Sequence, residues 1–168
     1  MNIREANNDD IKLISNLYIM NWKKTYIGLL PDDFLNRLNI NDGIKKWKEY
    51  LTKENHIIFV AYENEDFLGF SACKEDEEIK NCWYLDSLHV SEVSRGKGIG
   101  TKLIKKVGHY AYSKGYDCMS ICIVKGNCKA KSLYEKMGAV HYKNFIDYFG
   151  NTESNSEKLI WENLDYFK

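Results

Sequence analysis

Leu85-Asp-Ser-Leu-His-Val90, Ser91-Glu-Val-Ser94 and Arg95-Gly-Lys-Gly-Ile-Gly100-Thr-Lys-Leu-Ile104 follow one another without a break in the middle of the chain. An apolar, β-prone run ends in a short polar connection, three glycines come at alternate positions, and a helical pattern begins at once. The stretch predicts a strand, a loop and a helix N-terminus. The first four N–H groups of a helix lack intrahelical partners, and the helix dipole adds roughly half a positive charge there. A phosphate fits such a place without further help. Gly96, Gly98 and Gly100 remove the Cβ atoms that would keep an anion away, and Arg95 adds a fork of donors suited to a phosphate.

Working outward, the bulk properties limit who the partner is. Lysine plus arginine equals aspartate plus glutamate at 24 each, so no broad basic field exists to recruit nucleic acid or anionic lipid. Any anion site has to be local. A length of 168 residues suits one domain, and residues 1–168 are read as one. No run approaches the roughly 18 apolar residues of a membrane span, and the N-terminus lacks a basic stretch followed by an apolar one. A soluble, cytoplasmic protein without a nucleic-acid or membrane partner is expected. The five cysteines form no Cys-x-x-Cys pair, and the four histidines are scattered without ligand spacing, so reduced, mostly buried thiols are expected and a metal site is not.

The element order can be read from periodicity. Ile3 to Ala6 reads as a strand. Asn7 to Asp10 offers a cap to a helix from Ile11 to Lys24, and Asp32 and then Asn41 or Asp42 are expected to cap two more. From Ile57 the period becomes extended, with a hairpin of Ile57–Tyr62 and Phe67–Cys73 and a third strand over Asn81–Val90. Lys74–Lys80 reads as a solvated charged loop. The helix after the glycines turns Ile99, Leu103, Ile104, Val107 and Ala111 inward and stops at Gly115. Cys118–Val124 is an almost continuous apolar strand, a helix from Asn127 to Met137 follows, and strands over Val140–Phe149 and Leu159–Leu164 end the chain. The class is mixed α/β.

Spacing separates three readings of the glycine loop. A P-loop needs Gly-x-x-x-x-Gly-Lys-Ser/Thr, and the glycines here recur every second residue. A dinucleotide fingerprint needs Gly-x-Gly-x-x-Gly, but a start at Gly96 puts Thr101 where the third glycine belongs, and a start at Gly98 puts Leu103 there. The third pattern is Arg/Gln-x-x-Gly-x-Gly/Ala, present as Arg95-Gly-Lys-Gly98-Ile-Gly100. In this the sequence resembles the Gcn5-related N-acetyltransferase superfamily, in which the motif binds the pyrophosphate of coenzyme A. Asn127-Cys-Lys-Ala130-Lys-Ser-Leu-Tyr134-Glu-Lys-Met-Gly138 resembles a second block of the same family, and the two blocks together cover roughly residues 80 to 142. Trp22, Tyr26, Gly28-Leu-Leu-Pro31 and Phe34-Leu35 resemble the first helices of many bacterial members. Glu92 stands where members often carry proline.

The resemblance implies a mixed sheet of about seven strands, helices on both faces, and a splay between the fourth and fifth strands that takes the pantetheine arm of acetyl-CoA. Backbone groups of Leu88, His89 and Val90 are then expected to pair with that arm. Arg95, Gly96, Lys97, Gly98, Ile99, Gly100 and Thr101 are expected to hold the pyrophosphate, with Asn127 either capping its helix or reaching the arm. Tyr134 is the expected general acid beside the departing sulfur, although an aromatic in that helical stripe also reads as core. Asp86 is the first candidate for the base and His89 the second. Acceptor choice is expected to fall to Trp22–Pro31 and to the hairpin around Tyr148 and Gly150. The resemblance implies an amine of a small molecule or peptide as acceptor, and a monomer or homodimer is expected. A catalytically silent acyl-CoA sensor and a dinucleotide-dependent enzyme are the competing readings.

Overall fold

Seven strands pair into one mixed sheet in the computed structural model, which describes all of residues 1–168. The strands are β1 (Asn2–Glu5), β2 (His56–Glu63), β3 (Asp66–Glu75), β4 (Cys82–Val90), β5 (Cys118–Val124), β6 (Val140–Phe149) and β7 (Thr152–Trp161). The helices are α1 (Ile11–Thr25), α2 (Asp32–Arg37), α3 (Ile40–Thr52), α4 (Ile99–Lys114) and α5 (Cys128–Lys136). Across the sheet the order is β1-β2-β3-β4-β5-β7-β6. Every neighbouring pair is antiparallel except β4 and β5, which α4 connects.

Alternation along the strands assigns the helices to two faces. Phe59 and Ala61 of β2 pack with Trp83, Leu85, Met119 and Leu159 beneath Leu103, Ile104, Val107 and Ala111 of α4. Ile58 and Val60 point the other way, to Ile14, Leu17 and Tyr18 of α1 and Trp47 of α3. A third small cluster joins Leu30 and Leu35 to Val124, with Trp22, Tyr26, Phe34 and Phe149 against it. This last cluster brings the end of α1, α2 and the tip of the β6–β7 hairpin to one place.

Several local expectations need correction. β7 starts at Thr152, seven residues before Leu159, because Glu153 to Lys158 pair with β6 despite their polarity. Periodicity missed this because the polar side chains take specific partners: Glu157 accepts from Lys131 and His141, and Lys158 pairs with Asp76. Lys74–Lys80 is likewise not simply a solvated loop. The Asp76 side chain is 2% exposed, and it receives hydrogen bonds from Ser120, Lys158 and the backbone of Glu78 and Ile79. Burial would raise its pKa, but those donors lower it below the ordinary carboxylate value. The α3 cap is Asn39, whose side chain accepts from the Asp42 backbone, and neither Asn41 nor Asp42. Pro31, not Asp32, stands at the cap of α2, with no side-chain capping bond.

Candidate functional site

The site begins where β4 and β5 part. Their pairing runs from Cys82–Cys118 to Leu85–Ile121 and stops there, although both strands continue. Residues from Asp86 onward on β4 and from Cys122 onward on β5 face one another across a gap. Against β3, Ala72 pairs with Ser87 but Cys73 pairs with Leu85, so Asp86 is the extra residue of a β-bulge. The bulge reverses the alternation of faces. Trp83 and Leu85 pack under α4, and beyond the bulge Leu88 and Val90 join that cluster while His89 turns to the opposite face.

The same ladder shows which backbone groups look into the gap. Ser91 N–H donates to Leu68 O at 2.8 Å, so the pair Gly69–Val90 beside it is a non-hydrogen-bonded pair. By alternation Val90 and Leu88 aim their N–H and C=O groups away from β3, toward β5. The Val90 carbonyl accepts from Asn21 Nδ2 at 3.1 Å, and Asn21 Oδ1 accepts from Arg95 at 3.0 Å. Asn21 was not singled out from the sequence. Its signal was a polar side chain on the buried stripe of α1, where Ile14, Leu17 and Tyr18 are its neighbours.

At the mouth of the gap, Gly96 and Gly98 adopt φ of 76°, which a residue with a Cβ rarely does, and Gly98 stands at the cap of α4 without a side-chain capping bond. The N–H groups of the first turn of α4 therefore face open space. Glu92, in the place where proline is frequent, pairs on the surface with Lys24 of α1. A cavity of about 540 Å³ runs from this loop along the gap. Of the residues expected at the site, Asp86, Leu88, His89, Val90, Arg95, Gly96, Gly98, Ile99, Gly100, Thr101, Asn127 and Tyr134 line it. Lys97 is exposed and lies outside the lining.

Asn127 stands at the N-cap of α5, its carbonyl accepting from Lys131 N–H at 3.1 Å, but its side chain makes no capping bond and lies beside the Tyr26 hydroxyl. Tyr134 is 5% exposed and its ring stands edge-on to Trp161 at 6.0 Å. Burial, with a smaller contribution from Tyr26, pushes its pKa above the ordinary 10, so the hydroxyl keeps its proton at neutral pH. His89 is stacked on Phe70 at 5.2 Å and edge-on to Tyr18 at 5.4 Å. Burial, then the charges of Lys46 and Arg95, bring its pKa down to about 3. It is neutral, and its ring is packed between Phe70 and Tyr18.

Asp86 belongs to two cavities. The second, of about 410 Å³, opens on the face of α1 and α3 and shares Trp22, Tyr26, Asp86, Ser87, Cys122 and Ile123 with the first. Lys46, Asp147, Tyr148, Phe149 and Gly150 line the second cavity alone. A long cleft with free backbone groups thus meets an aromatic chamber, and the acid of the bulge sits at their junction.

The lining of the first cavity suits coenzyme A chemically. Uncapped N–H groups and glycines suit a pyrophosphate, and outward N–H and C=O groups on Leu88 and Val90 suit the amides of an extended arm. Comparison with known proteins points the same way. The model of the acetyltransferase (GNAT) family matches residues 18–139. YhfO of Bacillus subtilis (strain 168), described as an uncharacterized N-acetyltransferase, is 28% identical over 152 residues, 88% of this chain and 95% of that protein. The crystal structure of an N-acetyltransferase from Staphylococcus aureus Mu50 superposes with a TM-score of 0.79 at 22% identity, covering 98% of each chain. The structure of yncA from Salmonella typhimurium with its cofactor acetyl-CoA gives a TM-score of 0.74 at 18% identity, covering 98% of this chain and 94% of that one.

Proposed function

The chain belongs to the GNAT acetyltransferase family, an acetyl-CoA-dependent acyltransferase family, and we propose that it acetylates a primary amine of a small molecule or peptide in a ternary complex. Bound acetyl-CoA supplies an activated acetyl group, whose C–S bond breaks as the amine's N–C bond forms and the thiol leaves. The observation that carries the reading is the junction of the two cavities at Asp86, with Tyr134 on the wall of the first.

Each residue has a role set by its surroundings. The α4 N-terminus, with Gly96, Gly98 and Arg95, holds the pyrophosphate; Leu88 and Val90 hold the arm through their backbone. An alkylamine has a pKa near that of lysine, about 10, and arrives protonated. Asp86 takes one of its protons and passes it to solvent. A second amine proton ends on the thiol, so one proton is released per turnover. Tyr134 assists the departing sulfur by a hydrogen bond rather than by giving up its proton. Against reference values of about 10 for tyrosine and about 8.5 for a thiol, full transfer is uphill by about 2 kcal/mol, and burial of Tyr134 makes it more so.

Tyr134→Phe tests the assignment because it removes the hydroxyl and keeps the ring against Trp161. We expect kcat to fall by about 10²-fold or more while the Kd for CoA stays within about threefold. Full turnover in this variant would remove Tyr134 from the mechanism.

A further inference from the structure

The second cavity carries charge that acetyl transfer alone does not require. Asp86 lies at the junction, and Asp147, on β6, lines only the chamber beyond it. Neither carboxylate takes part in an ion pair within the protein. Asp147 accepts only the backbone N–H of the next residue, Tyr148, at 2.8 Å. A second, independent feature lies in the same chamber. Ser156 is 3% exposed, and its Oγ has no hydrogen-bond partner. A buried hydroxyl of that kind is costly unless a bound group completes it.

The remaining walls are aromatic. Trp22 stands 5.6 Å from Phe149 and 6.3 Å from Phe34, ring centre to ring centre. Such faces accept methylene chains and attract cations. Lys46 is the cation lining the chamber, and it lies to one side. It donates to the Tyr18 hydroxyl at 3.1 Å and covers that ring at 4.5 Å, on the α3 side, where neighbouring Trp47 packs on Phe70 of β3. Asp147 lies at the opposite end of the chamber, on the edge strand β6. In the order β4-β5-β7-β6, three strand spacings separate its strand from that of Asp86, at least roughly 14 Å between backbones and more where β4 and β5 part. Side chains reaching inward shorten that span to the length of a flexible chain of several methylenes.

We propose that the acceptor is a flexible dication, an alkyl diamine or polyamine, whose reacting amine meets Asp86 and whose distal ammonium is held by Asp147 and Ser156. The proposal rests on the acetyltransferase reading above and adds the class of the acceptor. The aromatic wall carries the methylenes between the two ends. Lys46 keeps the second charge on the Asp147 side by repulsion.

Steady-state kinetics on hexylamine, hexamethylenediamine, spermidine and lysine test it. Hexylamine has the chain without the distal charge, so the diamine should exceed it in kcat/KM by about tenfold or more, the worth of one charge-assisted hydrogen bond. Asp147→Asn should bring the diamine-to-monoamine ratio toward one, chiefly through KM. Added salt should lower the same ratio. Asp147→Lys should shift preference to aminohexanoate, which ends in a carboxylate. The dication class is overturned by equal use of hexylamine and hexamethylenediamine, by a ratio that Asp147→Asn leaves unchanged, or by a preference for lysine, whose carboxylate would then sit on Lys46. If none of the four is acetylated but a peptide N-terminus is, the acceptor class falls and the transferase reading stands; if CoA binds and no amine of any of these kinds is acetylated, both fall.

Discussion

Asp86 owes its position to being one residue too many. The bulge opposite Ala72 and Cys73 leaves it unpaired at the point where β4 leaves β5, and so delivers a carboxylate to the meeting of two cavities. If it takes the amine's proton, Asp86→Asn should lower kcat/KM and leave a rate that follows the free-amine fraction, rising about tenfold per pH unit toward the amine's own pKa of about 10; a profile unchanged in shape and height would assign the proton to another acceptor. His89 has a different signature. Its pKa in the folded protein is about 3, below the unfolded value of about 6.5, so the unfolded chain binds more protons between those values. The stability it contributes is therefore complete above about pH 6.5 and is lost as pH falls toward 3, with a slope approaching 1.4 kcal/mol per pH unit, roughly one proton. His89→Phe, which keeps a ring on Phe70, should flatten that part of the unfolding-midpoint curve; a curve parallel to that of the native protein would contradict a neutral buried His89. The sequence showed both residues on the right strand and ranked Asp86 before His89, but it did not show how each side chain is aimed. Their aim depends on the bulge at Asp86, and a bulge leaves no mark on the pattern of apolar residues.

At the scale of elements, the pyrophosphate is proposed to sit at the glycine loop and the start of α4, whose first turn has no side-chain cap. Gly98 caps α4 with a positive φ and no side chain. Gly98→Ala has room for its methyl group, since a Cβ there meets nothing within 4 Å, so its effects are strain and obstruction of the anion. The expected outcome is a stability loss of about 1 kcal/mol and a Kd for CoA raised about tenfold or more, measured by thermal unfolding and calorimetry. Unaltered CoA affinity would place the pyrophosphate elsewhere. The strand, loop and helix here were legible because glycine spacing and helical period are local. β5 and β6 were legible to the residue for the same reason. The start of β7 was not, because Glu157 and Lys158 are stabilised by Lys131, His141 and Asp76, partners far away in the chain. Asn21, Asp147 and Ser156 were hidden for that reason too: each acquires meaning only when distant elements meet.

For the whole molecule, the net charge of zero leaves binding to local devices, and the fold supplies two that face different ways. The cleft between β4 and β5 opens toward the α4 N-terminus, and the aromatic chamber opens under α1 and the β6–β7 hairpin. The two cavities adjoin at Asp86, and in the proposed mechanism the two substrates enter from separate sides and meet at that carboxylate. A sensor of acyl-CoA would need the cleft alone. The chamber, with its unpaired Asp147 and Ser156, argues for a second substrate. The most direct test is to incubate the protein with acetyl-CoA and an amine and to follow thiol release together with the mass of the amine. The account predicts release that depends on the amine, with one acetyl group gained by the amine for each thiol set free. Tight binding of acetyl-CoA with no acetylated amine across alkylamines, polyamines and peptide N-termini would contradict it.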